Sequence, residues 1–215
     1  MKKHLPLSSQ REEHGKAHIQ RRPGGRSARV RQVVLAATLD LLSQRGYEGM
    51  TTKDIAARAG VNEASLFRRW GTKAAIVAEA LQNYSVLETP TPDTGSLRSD
   101  LLELLRGIIT RIQTPQGQVI SQIVVGHHSQ PELEEVRHAY WSDRLSRTAA
   151  IVQRAKKRGE LSEEVDADFL VEAAIGPILA RTHVTHRPLD DHLAEQIVAL
   201  LLSGLARNNQ HTVSS

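Results

Sequence analysis

The sequence predicts an all-α protein built from two helical units. Apolar residues recur at spacings of three and four along most of the chain. No stretch shows the strict alternation of a half-buried strand, and Gly and Pro fall mostly between the periodic segments. About nine helices are expected on this pattern.

Residues 1–27 have no apolar period, and Pro23, Gly24 and Gly25 break any helix there. They are expected to form a disordered basic arm, with Arg21, Arg22, Arg26, Arg29 and Arg31 leading into the first helix. Residues 28–88 then read as a compact helical module. Val30, Val33, Val34, Ala37, Leu41 and Leu42 share one stripe of its first helix, and Gly46 supplies a stop. Thr51-x-x-Asp54 is the start of a capping box, with Ile55, Ala56 and Ala59 as the apolar face behind it. Gly60 ends that short helix. Asn62 caps the next, 63–70, and Thr72 caps a fourth carrying Ile76, Val77, Ala80, Leu81 and Tyr84.

Pro90 and Pro92 mark a helix-free link. A second unit, 95–207, follows. Leu97, Leu101, Leu104, Leu105, Ile108, Ile109 and Ile112 trace one stripe that Pro115 ends. Val119, Ile120, Ile123 and Val124 form a shorter helix. Pro131 opens a long segment running to Gly159, Asp166 begins another helix, and 189–205 is the last. The polar residues 208–215 are expected to be a disordered tail.

Composition narrows the function. The 215 residues contain no Cys, which excludes disulfides, cysteine-ligated metals and thiol chemistry. Aromatics are 3% of the chain, too few for a stacking platform on single strands. No apolar run is long enough to span a bilayer, and no signal core precedes the polar N-terminus, so a cytoplasmic protein without membrane contact is expected. The net charge of +4 is uneven: residues 1–80 carry +8 and the remainder −4. A basic end on an acidic body suits a polyanion-binding module.

The residues from Thr52 to Trp70 specify that module as a helix-turn-helix. Two short helices cross steeply, so a small residue is needed at their contact, and Ala56 supplies it. Gly60 adopts the turn at little cost. Val61 and Leu66 peg the second helix to the first, leaving Asn62, Glu63, Ser65, Arg68 and Arg69 on its polar face. Such a helix fits the major groove of duplex DNA with its first residues at the base edges.

The stretch 29–76 resembles the DNA-binding domain of the TetR/AcrR family of bacterial repressors. Gly46-Tyr47 before Thr51, the Ile55-to-Val61 turn, and Leu66 to Trp70 followed by Thr72-Lys73 carry the resemblance. In the body, Gly159 to Leu161 and the Gly176-Pro177 pair are similar to the family's architecture. The resemblance implies that Thr51, Thr52, Phe67 and Lys73 lie at the phosphates and that Asn62, Glu63, Ala64, Ser65 and Arg68 read or approach bases. At Phe67 the family commonly has Tyr, whose hydroxyl meets a phosphate; Phe cannot make that bond and is left to a thymine methyl or a sugar. Trp70 is expected to pack between helices.

The segments around 169–179 and 193–205 are apolar nearly all round, as helices shared between a core and a partner would be. They resemble the family's last helix pair, which forms a four-helix bundle across a two-fold axis. Phe169, Ile178, Ile197 and Leu201 are the expected homodimer contacts. Pro177 should kink its helix. Candidate polar lining for an effector pocket is Arg106, Gln122, His127, Tyr140, Trp141, Arg144 and His183, with His128 beside them. Arg154, Lys156, Lys157 and Arg158 read as a solvated helix end. His183-x-x-His186 lacks the carboxylates a metal site needs, so neither metal nor cofactor is expected, and no nucleophile–base pair or phosphate loop points to an enzyme.

The expected function is a dimeric, sequence-specific transcriptional regulator. It would repress from a near-palindromic operator and be released by an unknown small molecule that moves the fourth helix, 72–86. An effector-independent or architectural DNA-binding protein is the alternative.

Overall fold

The computed structural model describes residues 25–88, 90–126 and 130–212. These form nine α-helices and no strand: α1 (Arg26–Arg45), α2 (Thr52–Ala59), α3 (Glu63–Trp70), α4 (Lys73–Glu88), α5 (Leu97–Ile112), α6 (Pro115–Val125), α7 (Pro131–Lys157), α8 (Ala167–Ala180) and α9 (Asp191–Thr212). The all-α class is thus correct. The arm's first 24 residues lie outside the described ones, and so do 213–215 of the expected tail. Helix α1 starts two residues before the expected boundary at 28, and α9 runs on to Thr212, past the expected end at 207.

Two apolar clusters hold the helices together. The first joins α1–α4 to the body: Leu35, Leu42, Ile55, Leu66 and Leu81 pack with Ile120, Val124, Leu133 and Tyr140 of α6 and α7. The second lies between α5, the C-terminal half of α7, α8 and α9. Trp141 packs against both. The N-terminal module therefore shares its core with α6 and α7, and a displacement there is transmitted through close-packed side chains. One expected core position departs from this scheme. Val33 turns outward, while Leu35 and Leu39 are buried in its place.

Local caps set the helix ends. Ser96 accepts from the Ser99 N–H, Thr114 from Gly117, and Asp166 from Asp168 and Phe169. Pro177 lies inside α8, which continues into a five-residue π-turn, Arg181–Thr185. The basic run at the end of α7 is not simply solvated. Arg154 and Arg158 reach Asp100, which is fully buried and also accepts from the backbone and hydroxyl of Thr94. A buried carboxylate demands such partners, and here they pin the link before α5.

Candidate nucleic-acid interface

The geometry of α2 and α3 follows from short-range chemistry. The Thr51 hydroxyl accepts from the Asp54 N–H at 3.1 Å, and the Asp54 carboxylate accepts from the Thr51 N–H at 2.9 Å. The Thr51 hydroxyl also donates to that carboxylate at 2.6 Å, and this bond, with the one from the Thr51 N–H, holds the Asp54 carboxyl below the ordinary carboxylate range. Gly60 sits at φ 65°, ψ 34°, where a side chain would be strained. Its N–H and that of Val61 close back on α2. Ile55, Ala56 and Leu66 are buried at the crossing. Asn62 caps α3 by accepting from the Ala64 N–H at 2.8 Å.

With its inner face so fixed, α3 presents Asn62, Ala64, Phe67, Arg68 and Arg69 to solvent. Phe67 is 51% exposed, a large apolar ring with no core to fill. Glu63 and Ser65 are half-buried. Glu63 accepts from the Thr52 hydroxyl at 2.6 Å, tying the first turns of α2 and α3 together. Two helix N-termini and their N–H groups thus face the same side, as a phosphate-binding surface requires.

Lys73 differs from the expectation of a simple phosphate anchor. Its ammonium donates to the Tyr47 and Met50 carbonyls at 2.9 and 3.1 Å and stands 3.9 Å from the Tyr47 ring centroid. The α1–α2 loop leaves those carbonyls outside helical bonding, and Lys73 satisfies them. One of its three N–H donors is left. Arg69 donates to Ser27 at 3.1 Å and lies over the Trp70 ring, so it fastens α3 to the start of α1. Arg68 makes no hydrogen bond or ion pair among the described residues.

Glu79 on α4 was not singled out by the sequence. Its carboxylate accepts from both Arg31 of α1 and the Trp70 indole of α3. The available signal was a lone acid amid the small and apolar residues of α4 between Lys73 and Glu88.

The body holds a small inner cavity of about 30 Å³. Of the expected lining, Tyr140, Trp141 and Arg144 border it, together with Arg111 and Ser121, which were missed. His183 stands one shell out, its Nε2 2.7 Å from the Ser121 hydroxyl. Burial and the neighbouring His186 lower its pKa. Arg106 and Gln122 are not cavity residues. Arg106 turns outward and pairs with Glu195 of α9 at 3.1 Å, and Gln122 is exposed, because the inward faces of α5 and α6 are filled by Ile108, Ile112 and Ile120. His127 and His128 lie outside the described residues.

The expected dimer residues divide. Phe169 is 69% exposed, but Ile178 (0%) and Ile197 (5%) face the chain's own second cluster and are out of a partner's reach. Leu201 is half-buried. The exposed face of α8 and α9 carries instead Phe169, Gly176, Leu200 (74% exposed) and Gly204. Among the described residues no helix is long and apolar enough to cross a membrane, and no group of three His, Asp or Glu is placed to hold a metal.

Comparison with known proteins agrees with this geometry. Residues 34–80 match the family described as bacterial regulatory proteins, tetR family, and residues 91–201 match the tetracyclin repressor-like C-terminal domain. The chain is 36% identical over 190 residues to the HTH-type transcriptional regulator AqdR of Rhodococcus erythropolis, covering 87% of this chain and 90% of that one. It is 26% identical over 175 residues to the uncharacterized HTH-type transcriptional regulator YdeS of Bacillus subtilis, covering 81% and 88%. Among solved structures, the TetR family transcription regulator SCO0332 superposes with a TM-score of 0.70 at 28% identity, covering 81% and 97%.

Proposed function

This chain belongs to the TetR family of bacterial regulatory proteins, and from that premise we propose that it is a homodimeric repressor whose release from a near-palindromic operator is driven by a small molecule bound in the body. It is a DNA-binding helix-turn-helix transcriptional regulator, of a family whose members function as dimers. Such a protein works in the cytoplasm, on the chromosome.

The observation that carries the reading is the two-sidedness of α3. Ile55 and Ala56 of α2 and Leu66 bury one side, while Asn62, which caps the helix, projects from the other with Ala64, Phe67 and Arg68, and those last three have no structural use of their own among the described residues. In this reading Asn62, Ala64 and Arg68 read or approach base edges, and Phe67 meets a thymine methyl or sugar. Thr51, Thr52 and the remaining N–H of Lys73 flank them toward phosphates. Glu63, whose Oε1 accepts from Thr52, keeps its second carboxylate oxygen for a cytosine amino group.

Regulation follows from the first cluster, which runs from α1–α4 into α6 and α7. An effector that favours one packing of α6 and α7 over another shifts α4 and hence the separation of the two α3 helices in a dimer. An effector binding both packings equally shifts nothing. The small volume of the inner cavity, about 30 Å³, favours a second reading, an effector-independent regulator. Operator selected from random duplexes, followed by anisotropy titrations with candidate effectors, tests both. Sequence-independent binding removes the specific regulator, and operator binding that no ligand changes leaves the effector-independent one.

A further inference from the structure

On the premise that the body senses a small molecule, we infer that its ligand is an apolar monoanion whose head group meets Arg144 and Arg111 and whose tail lies between α7 and α8.

Arg111 and Arg144 both line the inner cavity, no Asp or Glu does, and most of the remaining wall is aliphatic. Arg144 is 2% exposed. Burial, helped by the Arg111 and Arg147 charges and opposed by Tyr140 and Asp143, pushes its guanidinium down to about 10, so it stays charged at neutral pH. The acid beside it, Asp143, already accepts from Arg147 at 2.9 and 2.6 Å. The local charge is therefore net positive in an apolar setting, where attraction for an anion is least screened. A guanidinium fork suits a carboxylate in particular. The Ser121 hydroxyl and the Tyr140 ring complete the polar end of the cavity.

Room for the rest of the molecule lies across one wall. Trp141, Ile175 and Leu179 line both the inner cavity and an outer groove of about 290 Å³ between α7 and α8. Joined, the two spaces approach the size of an ordinary small-ligand site, whereas the inner one alone holds no more than water. Trp141 is held in the partition by one bond, from its indole N–H to the Val124 carbonyl at 2.6 Å. Swinging that ring aside connects cavity and groove. The groove's own charges are Arg137, which pairs with Glu134, and the exposed His138 and Glu172, whereas the inner cavity wall carries two arginines and no acid, so the head points inward.

Calorimetric titration of the full chain with decanoate and with decan-1-ol tests the inference. Decanoate should bind at least tenfold more tightly than the alcohol. Arg144→Gln and Arg111→Gln should each weaken decanoate tenfold or more and leave the alcohol within about twofold. Arg111 is only half-buried, so Arg111→Gln keeps the test open where Arg144→Gln fails to fold. Equal affinity for acid and alcohol, acid binding unaffected by either variant that folds, or no binding of decanoate at millimolar concentration overturns it. Operator anisotropy separates this inference from the repressor reading. Decanoate that binds through the arginines without releasing DNA upholds the anion site and removes effector release. Release by decan-1-ol as effective as by decanoate upholds release and removes the anion site.

Discussion

The indole N–H of Trp70, the last residue of α3, donates to the carboxylate of Glu79 on α4. Arg31 of α1 donates to the same carboxylate. One half-buried acid therefore joins three helices, among them the DNA-reading helix and the helix that meets the body. Without it, α3 keeps its grip on α2 through Leu66 but loses its tie to α4.

Glu79→Ala should destabilise the fold by about 1–3 kcal/mol, since it leaves the part-buried Trp70 N–H and the Arg31 guanidinium without this acceptor. At roughly 2–4 °C per kcal/mol for a chain of this size, thermal melting reads the change directly. Operator affinity should fall as well at a temperature where the protein is fully folded, because α3 is less rigidly placed. Unchanged affinity in a folded variant removes Glu79 from the coupling between module and body.

Arg68 and Lys73 should separate reading from anchoring. Arg68 spends no bonds on the described structure, so Arg68→Ala should leave melting unchanged. It should relax base preference at one position per half-site, at about 1–3 kcal/mol on the preferred operator. Lys73 closes the α1–α2 loop. Lys73→Ala should lower stability by about 1–2 kcal/mol and weaken all DNA sequences alike. Selection from random duplexes with each variant checks the division, and a changed sequence preference for Lys73→Ala alone contradicts it.

The helix-turn-helix was legible because its determinants are local. Thr51-x-x-Asp54, Gly60 and Asn62 each act within a few residues, and each does so in the structure. Glu79 was not legible, because Arg31 lies 48 residues away and nothing near Glu79 announces it. The same holds for Arg154 and Arg158, whose partner Asp100 belongs to another helix. Helices apolar nearly all round hide which side is inward. Ile178 and Ile197 could not be told from Phe169 and Leu200 until α8 and α9 were packed. Arg106 and Gln122 failed for a related reason, the rotation of α5 and α6 about their axes.

The cap at Thr51 should give α2 an acid limb. Asp54 is ionised more easily in the folded chain than in the unfolded one, chiefly through its bonds from Thr51. Its contribution is therefore complete above the ordinary value of 3.8 and disappears as pH falls through the lower, folded-state value. Asp54→Asn should remove that part of the pH dependence of unfolding below about pH 4 and lower stability at neutral pH, where the carboxylate's contribution is complete. Denaturant midpoints followed across that range check it. Parallel curves for the two proteins would show that the capping carboxylate carries no linkage.

The dimer prediction turns on which side of α8 and α9 a residue occupies. Phe169 and Leu200 are large apolar side chains left in solvent, and Gly176 and Gly204 beside them have open space where a Cβ would sit. Small residues among exposed apolar ones allow a second pair of helices to approach closely, as a four-helix bundle requires. Leu200→Glu places a charge that is solvated in the monomer and desolvated only in the assembly, so it should split the dimer while the melting of the monomer survives. Ile197→Glu buries its charge inside the chain and should unfold it, costing several kcal/mol. The pair separates interface from core, where either variant alone would merely report damage. Sedimentation at micromolar concentration should show a dimer for the native chain and a 23.8 kDa folded species for Leu200→Glu. That species should bind an isolated half-site about as the native protein does and lose the two-site operator. A Leu200→Glu protein that remains dimeric would move the two-fold contact off this face.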